Sequence, residues 1–323
     1  MSKKKKSHSR KPSVAIKSEL KDYDYHLPVL LKECVDALMN CGDDGLYLDG
    51  TLGGGGHTAE ILSRLSSKGR VYSFDADPDA IAHCNQKFSE ELSKEQDSRL
   101  ILVNKNFVEA STLIYPEQGV SGILLDLGVS SRQLDIGQRG ISYRFNTKLD
   151  MRFGTDGISA EELLNKSEEG KLHHILRSFG EEPFARIIAR RLVERRRAAP
   201  LKSTADLRYI IEECVPPHMA SKSLARVFQA IRIAVNNELE VLEHTIRSII
   251  PLLNKGGRIV VLSYHSLEDR VVKQVFKDSA KKTDENPDPQ LHILTPKPLE
   301  PSEQEIGWNP RSRSAKLRIA EKI

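Results

Sequence analysis

Two polar clusters in this sequence carry residue types suited to handling a proton at a nucleophile. Asp126 closes the apolar run Gly122-Ile123-Leu124-Leu125 and leads into Leu127-Gly128-Val129-Ser130-Ser131. A carboxylate at such a strand end can aim an amine lone pair and accept the proton the amine releases. Ser263-Tyr264-His265-Ser266-Leu267-Glu268-Asp269-Arg270 is the second cluster, at an expected strand-to-helix junction, and makes His265 a second candidate. Its serine, histidine and acids also suit a hydrolase, but the G-x-S-x-G elbow such an enzyme needs is missing. For Asp126 the plain alternative is a turn cap or a ligand contact without chemistry, since aspartate serves turns readily.

A third group of residues is built for binding. In Leu48-Asp49-Gly50-Thr51-Leu52-Gly53-Gly54-Gly55-Gly56-His57 an apolar strand ends, glycines turn the backbone and a helix opens, so that amide groups face a ligand at close range. One strand further on, Val71-Tyr72-Ser73-Phe74 ends in Asp75, placed to accept both hydrogen bonds of a ribose diol. Loop and acid together point to an adenosine-type cofactor, either a dinucleotide or S-adenosylmethionine. A dinucleotide rests its pyrophosphate on the helix N-terminus. Asp49 beside that position repels a pyrophosphate and attracts an ammonium, which favours S-adenosylmethionine and methyl transfer. His57 and Phe107 are further ligand candidates, the phenylalanine as a ring near the adenine; a helix-start cap and a core aromatic are their ordinary alternatives. The run after Asp126 departs from the D/N/S-P-P-Y/F signature of many amino methyltransferases.

Positioning these groups requires a parallel sheet. Strands are expected at Leu46 to Asp49, Arg70 to Asp75, Leu100 to Asn104 and Gly122 to Asp126, with helices from about His57, Pro78 and Glu109. Such alternation predicts an α/β fold with helices on both faces of the sheet. Ligands in open sheets bind beyond the strand carboxyl ends, so Asp49, Asp75, Asp126 and Ser263 are expected to share one cleft. From about Gln133 to Asn236 the pattern turns helical, over Ala160 to Leu164, Glu169 to Ser178, Pro183 to Arg197 and Thr204 to Cys214. The domain expectation is therefore a catalytic domain over 21–132 and 237–323, interrupted by a helical insertion over 133–236. The core resumes with a helix over Glu238 to Leu253, a strand over Arg258 to Ser263, a helix over Glu268 to Lys277 and a last strand over Lys316 to Ala320. Lys281 to Pro310, rich in proline and charge, reads as a long loop.

At 323 residues, 39% hydrophobic and 29% charged, the chain has the composition of a soluble globular protein larger than a typical domain. No apolar run is long enough to span a membrane. Cys34, Cys41, Cys84 and Cys214 form no C-x-x-C pair and have no clustered histidines, which argues against disulfides and metal and fits a reducing cytoplasm. The net charge of +4 is unevenly spread. Residues 1–20 are expected to be a disordered tail drawn to polyanions, since Lys3 to Lys6, Arg10, Lys11 and Lys17 face no acid before residue 18. Arg186, Arg190, Arg191, Arg195, Arg196 and Arg197 in the insertion, and Arg311 to Arg318 near the end, add basic runs that suit a phosphate-bearing substrate. A solvated helix face is the alternative for the first of these.

Taken together, His26-Leu27-Pro28-Val29-Leu30-Leu31, Asp49 to His57, Gly122 to Leu134, Leu149-Asp150-Met151-Arg152, Phe228-Gln229-Ala230-Ile231-Arg232, Ser263 to Arg270 and Asn309 to Glu321 resemble the ribosomal RNA small-subunit methyltransferase H (MraW) family. The resemblance covers nearly all of the chain from His26 onward. Departures are few: Gly54, Ala234 and the basic tail before Lys21. It implies a Rossmann-like S-adenosylmethionine-dependent methyltransferase sheet with an inserted all-helical domain that recognises RNA. The implied reaction is methylation of the exocyclic N4 of a decoding-centre cytidine in 16S rRNA, with the small ribosomal subunit as partner. The implied cofactor contacts fall on Gly55, Gly56, His57, Asp75, Phe107, Asp126 and Gln133. The target cytosine is then expected near Asp126 and His265, and a homodimer is compatible with the motifs.

Overall fold

The computed structural model describes residues 27–114, 119–127, 140–154, 157–283 and 288–323. The basic tail, Ser130 and Gln133 lie outside these residues. Seven strands form one sheet in the order β3-β2-β1-β4-β5-β7-β6: β1 (Leu46–Asp49), β2 (Arg70–Phe74), β3 (Leu100–Val103), β4 (Val120–Asp126), β5 (Leu253–Ser263), β6 (Leu291–Ile293) and β7 (Lys316–Lys322). β1 to β5 are mutually parallel, whereas β7 runs antiparallel to both β5 and β6. This is the Rossmann-like sheet that the sequence pattern predicts. The order reverses between β1 and β4, the switch point at which a parallel sheet opens a crevice for ligands. β4 is buried along its whole length until Asp126, as a strand covered on both faces must be.

Helices α1 (Leu31–Leu38), α2 (Gly56–Arg64), α3 (Pro78–Lys87), α9 (Glu238–Ile249) and α10 (Ser266–Ala280) accompany the sheet. Their starts are legible in the chemistry: Asp77 accepts the Asp79 N–H at 3.0 Å with Pro78 in the first turn. Two apolar clusters hold the sheet, one around Phe74, Ile123, Leu125 and Val261, the other around Tyr47, Val71, Leu124 and Val260. Helices α4 (Ala160–Lys166), α5 (Glu169–Gly180), α6 (Ala185–Ala198), α7 (Thr204–Cys214) and α8 (Ala220–Asn236) bury a separate cluster that includes Leu164, Leu176, Ile188, Ile211 and Val227. A bidentate pair joins α8 to α9, with Arg232 Nε and Nη2 donating to Glu238 at 2.8 and 3.0 Å. Across the same junction Asn236 donates to the Met151 carbonyl at 2.8 Å.

Three expectations fail. Lys281 to Pro310 is not a continuous loop: it contains β6 and a short helix, α11 (Glu303–Trp308), capped by Ser302. Three and six residues are too few for a periodicity to register. β5 begins at Leu253 rather than Arg258, because Gly256-Gly257 is an irregularity within the strand, where the pairing with β4 shifts register between Val120 and Gly122. The helix expected to reach Leu253 accordingly stops at Ile249, followed by a single 3-10 turn. An added Cβ at Gly257 would meet three backbone oxygens at 2.9–3.1 Å, so the small residue serves a close strand approach.

Candidate active site

The register places the carboxyl ends of β2, β1, β4 and β5 side by side, with Asp49 opposite Ser73 and Leu124, and Asp126 opposite Leu262. Asp75, Asp49, Asp126 and Ser263 therefore line one edge, as the strand pattern anticipates. The loop after β1 is stitched to all three acids. Thr51 donates its N–H to Asp49 Oδ1 at 3.1 Å, Gly53 donates to Asp75 Oδ2 at 2.8 Å, and Thr51 Oγ1 accepts the Asp126 N–H at 2.7 Å. Gly50 and Leu52 donate to the carbonyls of Leu124 and Phe74, both at 2.9 Å, and Gly55 donates to that of Leu52 at 2.7 Å. The amides of Gly50 to Gly53 and of Gly55 are thus engaged within the protein. The expectation that the loop's amides face a ligand is corrected to that extent.

Asp49 is 1% exposed, and its second oxygen accepts the Thr58 hydroxyl at 2.7 Å. Its task is to brace the loop onto α2. Asp75 accepts from Gly53 on one oxygen and from Asp77 N–H on the other at 2.8 Å, leaving lone pairs on both. Burial raises the Asp75 pKa, and those two backbone donors oppose the rise. Gly55 turns with a positive φ of 69°, and its Cβ position is filled by Phe88 and Cys84 from the α3 side. Lys87 closes the loop by donating to the carbonyls of Gly54 and Gly55 at 2.7 and 3.1 Å. Phe107 is half-buried and leans against Gly50.

His57 is no helix cap. It is 5% exposed, with Nε2 3.3 Å from the Val29 carbonyl and Nδ1 3.7 Å from Asp126 Oδ2. The segment carrying Val29 is a strap across the glycine loop, with the Pro28 ring filling the space where a Gly56 Cβ would stand. The strap is itself fastened from the other end of the chain. Leu30 N–H donates to Glu305 Oε1 at 2.9 Å, and Asn309 Nδ2 to the Leu27 carbonyl at 3.3 Å.

Asp126 is 23% exposed and receives the Tyr264 hydroxyl on Oδ1 at 2.8 Å. Its pKa is raised by burial, against the pull of His57 and the Tyr264 hydroxyl toward the ionised form, while Asp49 and Glu268 push the same way as burial. The Tyr264 pKa is in turn pushed up by its own burial and then by Asp126. Sequence reasoning names Tyr264 only as one member of a polar run, and its adjacency to the Asp126 strand is the signal that would have singled it out.

His265 does cap a helix. Its Nδ1 accepts the Glu268 N–H at 3.3 Å, while Glu268 Oε2 accepts the backbone N–H of Tyr264 at 2.9 Å and of His265 at 3.3 Å. Nε2 lies 3.1 Å from Glu268 Oε1 without the alignment of a hydrogen bond. The pair thereby fixes the backbone from which Tyr264 reaches Asp126.

Of the insertion arginines, Arg196 turns inward to the Leu164 carbonyl at 2.6 Å, Arg190 pairs with Glu194 at 2.9 Å, and Arg191 pairs with Glu213 at 3.0 Å. Arg195 lies over the Tyr209 ring, 5.3 Å from its centroid. Much of that run therefore braces its own surface, and Arg186 and Arg197 are its exposed remainder. Among the described residues no group of histidines, cysteines and acids could hold a metal ion, and no helix is long and apolar enough to cross a membrane.

The sequence profile of the MraW methylase family matches residues 24–323. The chain is 42% identical over 316 residues to a protein of Heliobacterium modesticaldum named ribosomal RNA small subunit methyltransferase H, covering 93% of this chain and 99% of that one. A Clostridium botulinum protein of the same name is 43% identical over 312 residues, covering 92% and 99%. An rRNA methylase structure from Streptococcus thermophilus aligns with a TM-score of 0.40 and 14% identity, covering 91% of this chain and 93% of that one.

Proposed function

This chain belongs to the MraW methylase family, and on that premise we propose that it methylates the exocyclic N4 of a decoding-centre cytidine in 16S rRNA, using S-adenosylmethionine. The observation that carries the reading is Asp126, a recessed carboxylate aimed by Thr51 and Tyr264 at the end of β4, in one row with Asp75. S-adenosylmethionine, when bound, supplies a methyl group on a sulfonium that is already electrophilic.

The residues present fit that cofactor. Asp75 keeps lone pairs for a ribose diol, and the amides of Gly50 to Gly53 and of Gly55 are already engaged within the protein. Gly55, Gly56, His57 and Phe107 complete the proposed cofactor wall, together with Asp126 itself and Gln133, which lies outside the described residues. Asp126 orients the cytosine amine and takes up its proton on a carboxylate oxygen. A pKa raised by burial makes that oxygen a better base than an exposed aspartate. His265 acts with Glu268 as a positioning residue, through the Tyr264 backbone.

The helical part over 133–236 is proposed as the RNA-recognition domain and 21–132 with 237–323 as the catalytic domain. The test is transfer of a labelled methyl group to purified small subunits lacking the modification, followed by mass spectrometry of the nucleosides. N4-methylcytidine is expected with this chain and its loss with Asp126→Ala. Label on adenine or on protein would end the proposal.

A further inference from the structure

One exposed aromatic has no part in the site described. Trp308, the only tryptophan of the chain, is 51% exposed at the end of α11. The turn that follows it, Pro310–Ser314, presents Arg311 and Arg313 to solvent. Of the four cations from Asn309 to Arg318, Lys316 and Arg318 face Asp269, which leaves Arg311 and Arg313 as the cations of this surface. This surface is rigidly founded. Asn309 is buried, its N–H donates to the Glu305 carbonyl at 2.7 Å, and its own carbonyl accepts the Ser312 hydroxyl at 2.8 Å, with Ser312 fully buried.

Its place follows from the sheet. β7 runs antiparallel to β5 with Lys316 opposite Ser263, so the turn before Lys316 emerges at the end of the sheet where β5 delivers Tyr264 to Asp126. On its other side it rests on the strap that covers His57. An exposed aromatic followed by two exposed arginines on a firmly held turn beside the cleft has the composition of a platform on which bases stack while cations track the backbone.

We infer that Trp308, Arg311 and Arg313 form a stacking platform for a single-stranded RNA segment next to the methyl-accepting nucleotide. The inference rests on the proposed RNA substrate and deepens it. A cytosine amine inside a paired helix is blocked by its partner, so the substrate must reach Asp126 unpaired, and its neighbours then offer open base faces. Charge favours nucleic acid over an apolar protein segment as the occupant, because the exposed turn that follows the ring carries two arginines.

Because the chain has a single tryptophan, the full-length protein reports on its own platform. Acrylamide quenching of Trp308 fluorescence is measured with a short cytidine-containing oligoribonucleotide, with the same strand annealed to its complement, and with inorganic polyphosphate. Protection by the single strand alone is expected. Arg311→Ala with Arg313→Ala should make the log–log salt dependence shallower by about 1.4, the value for two lost single-strand phosphate contacts. Trp308→Ala should raise KM for RNA about tenfold at unchanged kcat, with Trp308→Phe restoring most of it. Equal protection by polyphosphate, protection only by a protein-bearing subunit, or no protection by a strand that binds would each overturn the platform. Methyl incorporation by the unaltered chain tests the substrate reading separately, so a protein that methylates RNA with Trp308 unprotected refutes the platform alone.

Discussion

Gly53 and Gly55 stand two residues apart in one loop, both with positive φ, and alanine at each should reveal a different cost. At Gly53 (φ 49°) the nearest atom to an added Cβ is a carbonyl oxygen at 4.0 Å, so the penalty is the left-handed backbone alone, about 1–2 kcal/mol. At Gly55 (φ 69°) the same penalty applies, and the Cβ also meets Phe88 Cε2 at 2.7 Å and Cys84 Sγ at 3.0 Å. Displacing a packed ring adds roughly 1–3 kcal/mol, for a total of about 2–5 kcal/mol. In thermal unfolding of a chain this long that is a fall of roughly 3–8 °C for Gly55→Ala against roughly 1.5–3 °C for Gly53→Ala. Calorimetric titration with S-adenosylhomocysteine should show the larger loss of affinity at Gly55 too, since its shift moves the start of α2 and the carbonyls that Lys87 holds. Equal losses at both positions would refute the close approach of α3 to the loop and the reason given for glycine there.

Four further outcomes are expected. Activity should fall as pH drops through a value higher than that of an exposed aspartate, because Asp126 must be ionised to accept a proton and burial raises its pKa. Tyr264→Phe removes a donor that favours the ionised form, so the acid limb of the pH–rate profile should move further up, while the neutral-pH rate falls about tenfold. Arg318→Met strands the buried Asp269 carboxylate that Arg318 holds at 2.6 and 3.1 Å; urea unfolding should show a loss of about 3 kcal/mol, the low end of the usual range because Lys316 stands 3.9 Å away. Glu305→Ala leaves the Leu30 N–H unpartnered beneath the strap, and affinity for S-adenosylhomocysteine should weaken several-fold in titration calorimetry.

What the sequence reveals here depends on range. Asp49, Asp75 and Asp126 are readable because each follows an apolar run that only a strand buried on both faces explains, and the chain order then sets the sheet. The Thr204–Cys214 helix appears with its full span because Ser203 and Asp206 form a capping box at its start. β6 and α11 escape because each spans fewer than two periods of the pattern that would disclose it. Gly256-Gly257 misleads because a glycine pair reads as a break, whereas here it lets a strand shift register and continue. The working partner of Asp126 is 138 residues distant, and the Gly50, Leu52 and Gly53 amides of the glycine loop are engaged by groups at the ends of two other strands, β2 and β4. Neither fact has a local signature.

The fastening of the strap has a consequence for how the molecule is made. Leu30 and Leu27 wait for Glu305 and Asn309, residues 275 and 282 positions later. On the ribosome the sheet edge carrying Asp49 and Asp75 emerges early, and domains fold as they leave the tunnel. The cover over His57, however, cannot be tied down until synthesis has passed residue 309. A nascent chain is therefore expected to hold an open, weakly binding pocket, and cofactor retention becomes a mark of a chain translated past that point.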